Sequence, residues 1–458
     1  MTDPLAVRPP PGSAREFHFP HADRQVVGNG VRVVSAHMPR LPLVTIAIVI
    51  DGAGGAGDLA GNEGLASLTA SMLIEGAGAL DSAQIAERFE DLGTTAASAA
   101  DWDCTSITAT LQPAHMDGVV DIIRDLVRRP TFPSRECDRL RAEHGADRMR
   151  LVAEPRTLAD AGLTWIWYGH ESRYRRPIFG TAASVAQLSH EDVARCWRTR
   201  YAPNATTVIV AGDVDARRAA GIAERLSEDW HVAPPPPARP ATGQSRGAAA
   251  HLIGKPGAAQ CELRVGHVSV PRSHADYFPL TVMNAILGGL FSSRVNLNLR
   301  ERHGYTYGAH SGFDWRRDQS PWYISAAVNT EHAGRAIAEV RAEIDRIRTY
   351  PVTPDELSLA TSYLAGVFPL RFETTSAVAS ALAMQETFAL GDSYFDTYRD
   401  AIGAVTVEDV QRVARQHLVP ERLQFVAVGD PDALRPQLAG LDVGGLHECS
   451  AADVEAAE

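Results

Sequence analysis

The segment LGGLFSSRVNLNLRERHGYTYG, residues 287–308, concentrates side chains that donate hydrogen bonds to anions. A guanidinium is always charged and donates several N–H bonds, and a phenol O–H donates one more. Arg300 and Tyr307 stand seven residues apart, on either side of Gly304. Such a pair can stabilise a developing oxyanion if the fold brings both donors to one site. The alternative is that Arg300 is a solvated charge at a helix end and that Tyr307 is a half-buried strand residue.

Metal ligands do not occur together at any local spacing that would form a site. The HFPH segment, residues 18–21, has two imidazoles at i and i+3 but no carboxylate or thiol to complete a ligand set. His144 follows Glu143 in a predicted helix and has no second ligand one turn away. The sequence therefore predicts no metal and no other cofactor in this chain.

Composition argues against several classes of protein. The formal charge is −12 and no block of lysine or arginine occurs, so a nucleic-acid binder is not expected. No apolar run approaches the ~18 residues of a membrane span, and the N-terminus lacks the apolar segment of a signal peptide. The five cysteines are scattered and without a CxxC pair, which is typical of reduced thiols. We therefore expect a cytoplasmic protein that binds neither nucleic acid nor membrane.

Two stretches of the chain repeat one another. SHEDVARCWRTRYAPNATTVIVAGDV begins at Ser189, and TVEDVQRVARQHLVPERLQFVAVGDP begins at Thr406. Aligned on Glu-Asp-Val, they keep a constant offset of 217 (409 − 192, 420 − 203 and 430 − 213) without a gap. An offset of this size predicts a duplicated domain, because the repeats of a solenoid are only ~20–50 residues long.

The chain divides accordingly. Residues 1–22 are Pro-rich and polar and are expected to form a flexible N-terminal arm. Residues 23–231 are predicted to form a first α+β domain and residues 248–445 a second, homologous one. Between them, residues 232–247 (VAPPPPARPATGQSRG) have the composition of a linker, and residues 446–458 remain as a C-terminal tail. Within each domain, strands and helices come in clusters, which predicts a mainly antiparallel sheet backed by helices.

Three helical segments position the residues of interest. GLASLTASMLIEGA, residues 64–77, is predicted to form a helix of small and apolar residues, and a longer helical region covers about residues 133–167. In the second domain, YFPLTVMNAILGG, residues 277–289, predicts a helix directly before the arginine-rich segment.

The arginine-rich segment resembles the part of the pitrilysin/insulinase metallopeptidases that reads small-Arg-Leu…Leu-Arg-Glu-Lys-x-Gly-Leu-x-Tyr. TPDELSLATSYLAGVFPLRFETTSAVASALA, residues 353–383, is similar to that family's Pro-x-Glu-Leu helix and the Leu-Glu-Thr segment that follows it. GTAASVAQLSHEDVARCWRTRYAPNATTVIVAGD, residues 180–213, extends the resemblance into the first domain. In all it covers residues 24 to about 430, and a duplicated domain is what the resemblance implies.

The resemblance also implies a zinc helix in the first domain. There the family carries His-x-x-Glu-His, in which the two histidines bind zinc and the glutamate deprotonates the attacking water. In this sequence the three positions fall on Ser67, Ala70 and Ser71, and the third ligand falls in the region of Asp147 and Arg148. Hydroxyls are poor zinc ligands and Ala70 cannot act as a base. We therefore expect the zinc chemistry to be absent.

The second domain differs, because the family's arginine and tyrosine have counterparts here. The resemblance implies that Arg300 and Tyr307 hold the carbonyl of a peptide substrate and its developing oxyanion. It also places residues 102–104, Trp-Asp-Cys, where the family's edge strand pairs with bound peptide.

Two functions of different classes follow. In the first, the chain is the non-zinc subunit of a two-component peptidase, and it lends Arg300 and Tyr307 in trans to a homologous catalytic subunit that carries His-x-x-Glu-His and holds the zinc. The alternative is a catalytically inert scaffold or peptide-binding subunit of a larger assembly. Any metalloendopeptidase activity is then expected only in a heteromeric complex, and the isolated chain is a candidate homodimer.

Overall fold

The computed structural model describes residues 16–232, 243 and 247–456. The strands of the first half are β1 Ala22–Val26, β2 Arg32–His37, β3 Val44–Asp51, β4 Gly76–Ala77, β5 Leu80–Asp81, β6 Ala96–Ala100, β7 Cys104–Leu111 and β8 Thr206–Gly212. Its helices are α1 Leu65–Met72, α2 Ser82–Asp91, α3 Met116–Arg128, α4 Ser134–Ala153, α5 Pro155–Trp167, α6 Ala182–Gln187, α7 His190–Arg200 and α8 Ala216–Ser227.

The second half repeats this arrangement. Its strands are β9 Ala249–Gly254, β10 Gln260–Val268, β11 Thr306–Phe313, β12 Pro321–Asn329, β13 Gln424–Gly429 and β14 Leu446–Cys449. Its helices are α9 Tyr277–Asn284, α10 Arg294–Asn296, α11 Ala333–Thr349, α12 Pro354–Val367, α13 Thr375–Thr387, α14 Tyr394–Gly403, α15 Val407–His417, α16 Pro431–Ala439 and α17 Ala451–Ala456.

Each half forms one large sheet within the described residues. The strand orders are β1-β2-β8-β3-β7-β6 and β11-β12-β10-β13-β9-β14, and most neighbouring strands are antiparallel. The offset of 217 preserves even the register, because Ile46 lies opposite Val210 and Leu263 lies opposite Ala427. The prediction of two homologous α+β halves is confirmed.

The two sheets differ at one edge. In the first sheet, β1 comes from the N-terminal side of the half and pairs antiparallel with β2. In the second sheet, the corresponding edge is filled by β14 from the end of the chain, which pairs parallel with β9. The predicted C-terminal tail, residues 446–458, thus contributes β14 and α17 to the second half.

The described part of the predicted flexible arm is packed. Phe19 is only 8% exposed and its ring stacks on Phe395 at 4.2 Å, while Phe17 contacts Phe368 and Phe372. The prediction of a flexible arm to residue 22 is therefore wrong from residue 17 onward, because these two aromatic side chains are covered by the second half. Residues 1–15, and all of the predicted linker except residues 232, 243 and 247, lie outside the described residues.

Each sheet is covered on one face by helices of its own half and on the other by a helix from the opposite half. In β3, Ile46, Ile48 and Ile50 belong to the core of the first half. The alternating residues Ala47 and Val49 belong instead to a cluster that continues into the second half. Burial of both faces explains why the strand reads as a continuous apolar run.

The helices that cross between the halves are α13 and α5. Helix α13 packs on β3 and β8, and the Thr375 hydroxyl bonds the Thr45 hydroxyl at 2.9 Å. Helix α5 packs on β10 and β13, where the buried Arg264 donates to Asp160 at 2.6 Å and the Trp167 indole donates to the Gly266 carbonyl at 3.2 Å. The exchange is reciprocal, so each half completes the core of the other.

The long helical region predicted over residues 133–167 is two helices, α4 and α5. The chain breaks at Glu154, whose extended backbone and side chain cap α5, and Pro155 occupies the first helical position. This break lets α5 leave its own half and reach the second sheet. Within residues 16–232, 243 and 247–456, no helix is long and apolar enough to cross a membrane.

The contact of α5 with the second sheet depends on a glycine. A Cβ added at Gly162 would lie 2.6 Å from Ile253 Cδ1 and 3.7 Å from Val426 Cγ1. We expect Gly162→Leu to push α5 off the sheet and to lower the free energy of unfolding by about 1–3 kcal/mol. Urea denaturation measures this change.

The matched control is Gly221→Leu in α8, where an added Cβ meets nothing within 4 Å. Leucine is the better helix former, so this variant should be as stable as the wild type or more stable. A Gly162→Leu protein that unfolds at the wild-type urea concentration would show that α5 does not hold the halves together.

Candidate functional site

Helix α1, which carries the positions of the zinc motif, begins at a buried carboxylate. Gly64 precedes the helix with a φ of 91°, a left-handed conformation that favours glycine. The Asp58 carboxylate accepts hydrogen bonds from the backbone N–H groups of Gly64 and Ala66, each at 3.1 Å. These are amide groups that the helix itself cannot satisfy, so Asp58 caps α1 from outside.

Two arginines from other elements converge on the same carboxylate. Arg200 at the end of α7 donates to Asp58 Oδ1 at 2.9 Å, and the Arg173 guanidinium lies 3.6 Å from Oδ2. The Asp58 side chain is fully buried. Burial raises its pKa from the ordinary value, and the two guanidiniums and the backbone N–H of Ala66 oppose that rise. The cluster therefore fixes the start of α1 against α7 and the segment around residue 173.

The zinc-motif positions on this helix are chemically inert. Ala70 is fully buried, Ser67 is buried and Ser71 is half-buried. The only side chain that bonds to Ala70 among the described residues is Ser98 on β6, which donates to its carbonyl at 2.7 Å. Among the residues that the structure describes, no group of imidazoles and carboxylates takes the place of the missing ligands at α1, so the residues present do not fit a zinc ion here.

The region of the third ligand is occupied by ion pairs. Asp147 accepts from Arg150 at 2.9 Å on the surface of α4. Arg148 is buried and pairs with Glu455 of the C-terminal helix α17. Neither side chain is directed to a metal site with α1, and a basic residue stands where an acidic ligand would be needed.

The segment that holds Arg300 and Tyr307 ends in a widened helical turn. Residues Leu297–Arg302 form a π-helical turn that continues α10, and the His303 N–H reaches back to the Asn298 carbonyl at 3.1 Å. Gly304 then takes a φ of 65° and ends the helix. Such turns are frequent at functional sites, because they re-aim side chains relative to a regular helix.

Arg300 is half-buried, and its guanidinium is still available to a ligand. Its guanidinium lies over the ring of Phe291, 4.5 Å from the centroid, and its Nε is 3.5 Å from the neighbouring Glu301. Arg294, in contrast, is bound in a fork to Glu356 at 2.6 and 2.8 Å. Burial lowers the pKa of His310 from its ordinary value.

Tyr307 projects from an irregularity in the edge strand of the second sheet. Between Thr306 and Ala309, β11 contains one more residue than the facing part of β12, which is a β-bulge. The Thr306 hydroxyl holds the bulge by accepting from the Gly308 N–H at 3.1 Å and donating to the Ala327 carbonyl at 2.7 Å. Tyr307 is 92% exposed, and within the described residues its hydroxyl forms no hydrogen bond.

One buried amide connects the two parts of this surface. The Asn296 side chain donates to the Phe291 carbonyl at 2.6 Å and accepts from the Ala309 N–H at 3.0 Å. It thereby fixes the turn whose Phe291 ring supports Arg300 relative to the strand that carries Tyr307. Sequence reasoning did not single out Phe291 or Asn296, although both lie in the same 287–308 segment, because their contacts depend on the tertiary turn.

The sequence-based placement of a peptide-pairing edge at residues 102–104 is wrong. On this side of the first sheet the edge strand is β6, and Trp102 lies in the connection between β6 and β7. The Trp102 ring contacts Tyr174 at 5.0 Å, and the Arg316 guanidinium lies over it at 4.6 Å. Cys104 begins β7, which is an inner strand, so its backbone is already paired on both sides.

Removal of the Asp58 carboxylate should destabilise the first half strongly. In Asp58→Ala, two buried guanidiniums and two backbone N–H groups lose their acceptor, and we expect a loss of about 3–5 kcal/mol in the free energy of unfolding. The control is Asp215→Ala, which removes an exposed helix-capping aspartate that accepts from the Arg218 N–H at 2.7 Å, and should cost about 1 kcal/mol. Equal losses in the two variants, measured by chemical denaturation, would contradict a special role for the buried cluster.

Loss of the Asn296 amide should loosen the Arg300–Tyr307 surface. In Asn296→Ala, the Ala309 N–H loses its acceptor, and we expect faster hydrogen exchange at residues 306–309 and a loss of about 1–3 kcal/mol in stability. Asn204→Ala changes an exposed asparagine and should stay within about 0.5 kcal/mol of the wild type. If exchange at residues 306–309 is unchanged, Asn296 does not position the bulge.

Two family models match successive parts of this chain. Residues 32–174 match the family described as insulinase (peptidase family M16), and residues 187–364 match the peptidase M16 inactive domain. An uncharacterized zinc protease of Mycobacterium leprae (strain TN) is 25% identical over 403 residues, which is 86% of this chain and 89% of that protein. The β subunit of the mitochondrial-processing peptidase of Lentinula edodes is 22% identical over 91% of each chain.

Solved structures show the same fold. The peptidase M16 inactive domain from Pseudomonas fluorescens is similar with a TM-score of 0.84 at 24% identity, over 89% of this chain and 98% of that one. A protease from Helicobacter pylori gives a TM-score of 0.83 at 16% identity, over 90% and 100% of the two chains. The family matches to both halves show that the chain belongs to the insulinase peptidase family, M16, as a member whose zinc-motif positions carry serine, alanine and serine.

Proposed function

We propose that this chain is the non-zinc subunit of a two-component zinc peptidase and supplies an Arg/Tyr clamp to a peptide bound at a partner's active site. The observation that carries the proposal is a contrast between the two halves. Helix α1 keeps its buried anchor at Asp58 but has no ligands, whereas the second half carries Tyr307, which is 92% exposed, and Arg300, whose guanidinium lies over the ring of Phe291. A tyrosine exposed to this extent makes few packing contacts, so its hydroxyl is free to bind a ligand.

The two donors suit a carbonyl oxygen that acquires charge. The partner's zinc would activate the attacking water. Arg300 then donates N–H bonds from a guanidinium whose plane is set by Phe291, and Tyr307 donates one O–H bond from the rigid bulge. When both donors reach the same oxygen in the complex, they bond it more strongly as it becomes charged, so the pair favours the transition state over the bound substrate.

Assembly with a homologous catalytic subunit that carries His-x-x-Glu-His is part of the proposal. The matched relative from Lentinula edodes is named as one subunit of a processing peptidase, which supports a subunit role for this chain. We place the complex in the cytoplasm, where the five free cysteines would stay reduced. In the absence of the partner, a homodimer is the expected alternative assembly.

The decisive test is Tyr307→Phe in the native complex, purified with its partner from the source cells. This substitution removes one O–H group and little volume, so we expect kcat for peptide cleavage to fall by about 10²–10³-fold while the complex remains intact. Arg300→Lys should also lower kcat, since an ammonium cannot replace the planar fork. Native mass spectrometry would verify that subunit composition and the partner's zinc content are unchanged.

The control is Tyr350→Phe, the same chemical change at a tyrosine that is 65% exposed at the end of α11. It should leave kcat and kcat/KM at wild-type values. If Tyr307→Phe also leaves both constants unchanged, the clamp is not used, and the inert scaffold or peptide-binding subunit becomes the better description.

A further inference from the structure

We infer that His274, Asp276 and His417 form a binding site for a divalent transition-metal ion, separate from the zinc-motif positions and from the clamp. His417 Nε2 lies 2.8 Å from Asp276 Oδ2, and His274 Nδ1 lies 3.9 Å from the same oxygen. One ligand atom from each of the three side chains lies within 4.8 Å of the other two. The sequence-based prediction of no metal in this chain considered only ligands at local spacing, whereas His417 is 141 residues from Asp276.

The first half contains a structural counterpart that shows what is different here. The offset of 217 carries Arg200 onto His417 (200 + 217). It carries Asp58 onto Ala275, and the neighbouring Asp276 pairs with His417 as Asp58 pairs with Arg200. In each half the pair joins the C-terminal end of one helix to the segment that precedes another. In the first half these helices are α7 and α1, and in the second half they are α15 and α9. In the first half, however, the groups that bond to or pair with Asp58 among the described residues are N–H donors, which cannot bind a cation. In the second half, an imidazole replaces the guanidinium, and a second imidazole lies beside it.

The side chains match the ligand preference of transition metals. Two imidazoles and one carboxylate form a three-ligand set that leaves coordination positions open for water. The side chains of His417 and Asp276 are 8% and 14% exposed, while that of His274 is 33% exposed, so one side of the set faces solvent. Arg412 holds Asp276 Oδ1 at 2.8 Å, and this bond orients Oδ2 toward the imidazoles.

Binding requires only local changes. The ion would replace the hydrogen bond between His417 and Asp276. His274 Nδ1, which accepts a hydrogen bond from the Asp276 N–H at 3.1 Å, would bind the metal instead. The T-shaped contact of the two imidazole rings, with centroids 5.3 Å apart, already places them on one side of the carboxylate. The expected geometry is therefore reached by rotation of side chains without movement of the backbone elements.

The position of the site gives the ion a route to influence the clamp. Asp276 lies directly before α9, and this helix continues into a π-helical turn at Ala285–Gly289. Phe291, which supports Arg300, follows two residues later. A metal that joins the start of α9 to the end of α15 would fix the position of α9. The segment that carries Arg300 and Tyr307, residues 287–308, follows this helix in the chain.

The test is zinc binding by the isolated full-length chain after treatment with a chelator. We expect titration calorimetry with zinc chloride to give one site per chain, and cobalt(II) to give the visible absorption of a protein-bound ion. His417→Arg copies Arg200 of the first half, so it should keep the ion pair with Asp276 and the melting temperature of the metal-free wild type. It should nevertheless lose the zinc site.

His274→Ala should also lose the site, because a partly exposed ligand is removed without disturbing the Asp276–His417 pair. The matched control is His170→Ala, which removes an exposed histidine elsewhere and should bind zinc as the wild type does. Zinc should raise the melting temperature of the wild type and of His170→Ala only. Absence of a stoichiometric site in the wild type, or zinc binding by His417→Arg and His274→Ala that equals that of the wild type, would overturn the inference. These outcomes test the metal site and not the proposed clamp, because every variant leaves Arg300 and Tyr307 unchanged.

Discussion

The structure depends on the need to cover both faces of two large sheets with the helices of one chain. A sheet with one apolar face uncovered would expose a contiguous apolar patch to water. Each half places most of its helices on one face of its own sheet and sends one helix to the other half, α5 in one direction and α13 in the other. The partly buried Arg264–Asp160 contact and the buried Thr45–Thr375 contact fix these two helices in place. The halves are therefore parts of one cooperative unit, although they descend from the same sequence pattern.

This constraint explains how the first half keeps its architecture although it lacks the metal-binding residues of the zinc motif. The zinc-motif positions lie on α1, whose placement is set by Asp58, Arg200 and Arg173 rather than by a metal. Loss of histidine and glutamate at Ser67, Ala70 and Ser71 removes reactive groups but leaves the helix anchored, with Ala70 fully buried. The energetic cost of changing the anchor is much larger than that of changing the former ligands, so fold and function are separable in this half.

The features that the sequence predicted well are those encoded by local pattern or by repetition. The offset of 217 predicted two homologous halves, and the structure shows that it preserves strand register as well. Features that depend on contacts between distant residues could not be predicted in this way. The exchange of α5 and α13, the burial of Phe19 and the meeting of Asp276 with His417 join residues that no periodicity relates. The apolar character of β3 on both faces was the one available signal that a helix from elsewhere must cover it.

The reciprocal exchange also has a consequence for synthesis of the chain on the ribosome. Thr45 on β3 meets Thr375 on α13, and 330 residues of chain must be translated between them. At about 5–20 residues per second, the β3 residues that α13 covers wait roughly 15–65 s for that helix, counted from the synthesis of Thr45. The second sheet does not wait, because α5 is complete before β10 and β13 emerge. The nascent first half is thus the part of this protein that has most need of a chaperone, and the second half folds onto a surface that is already present.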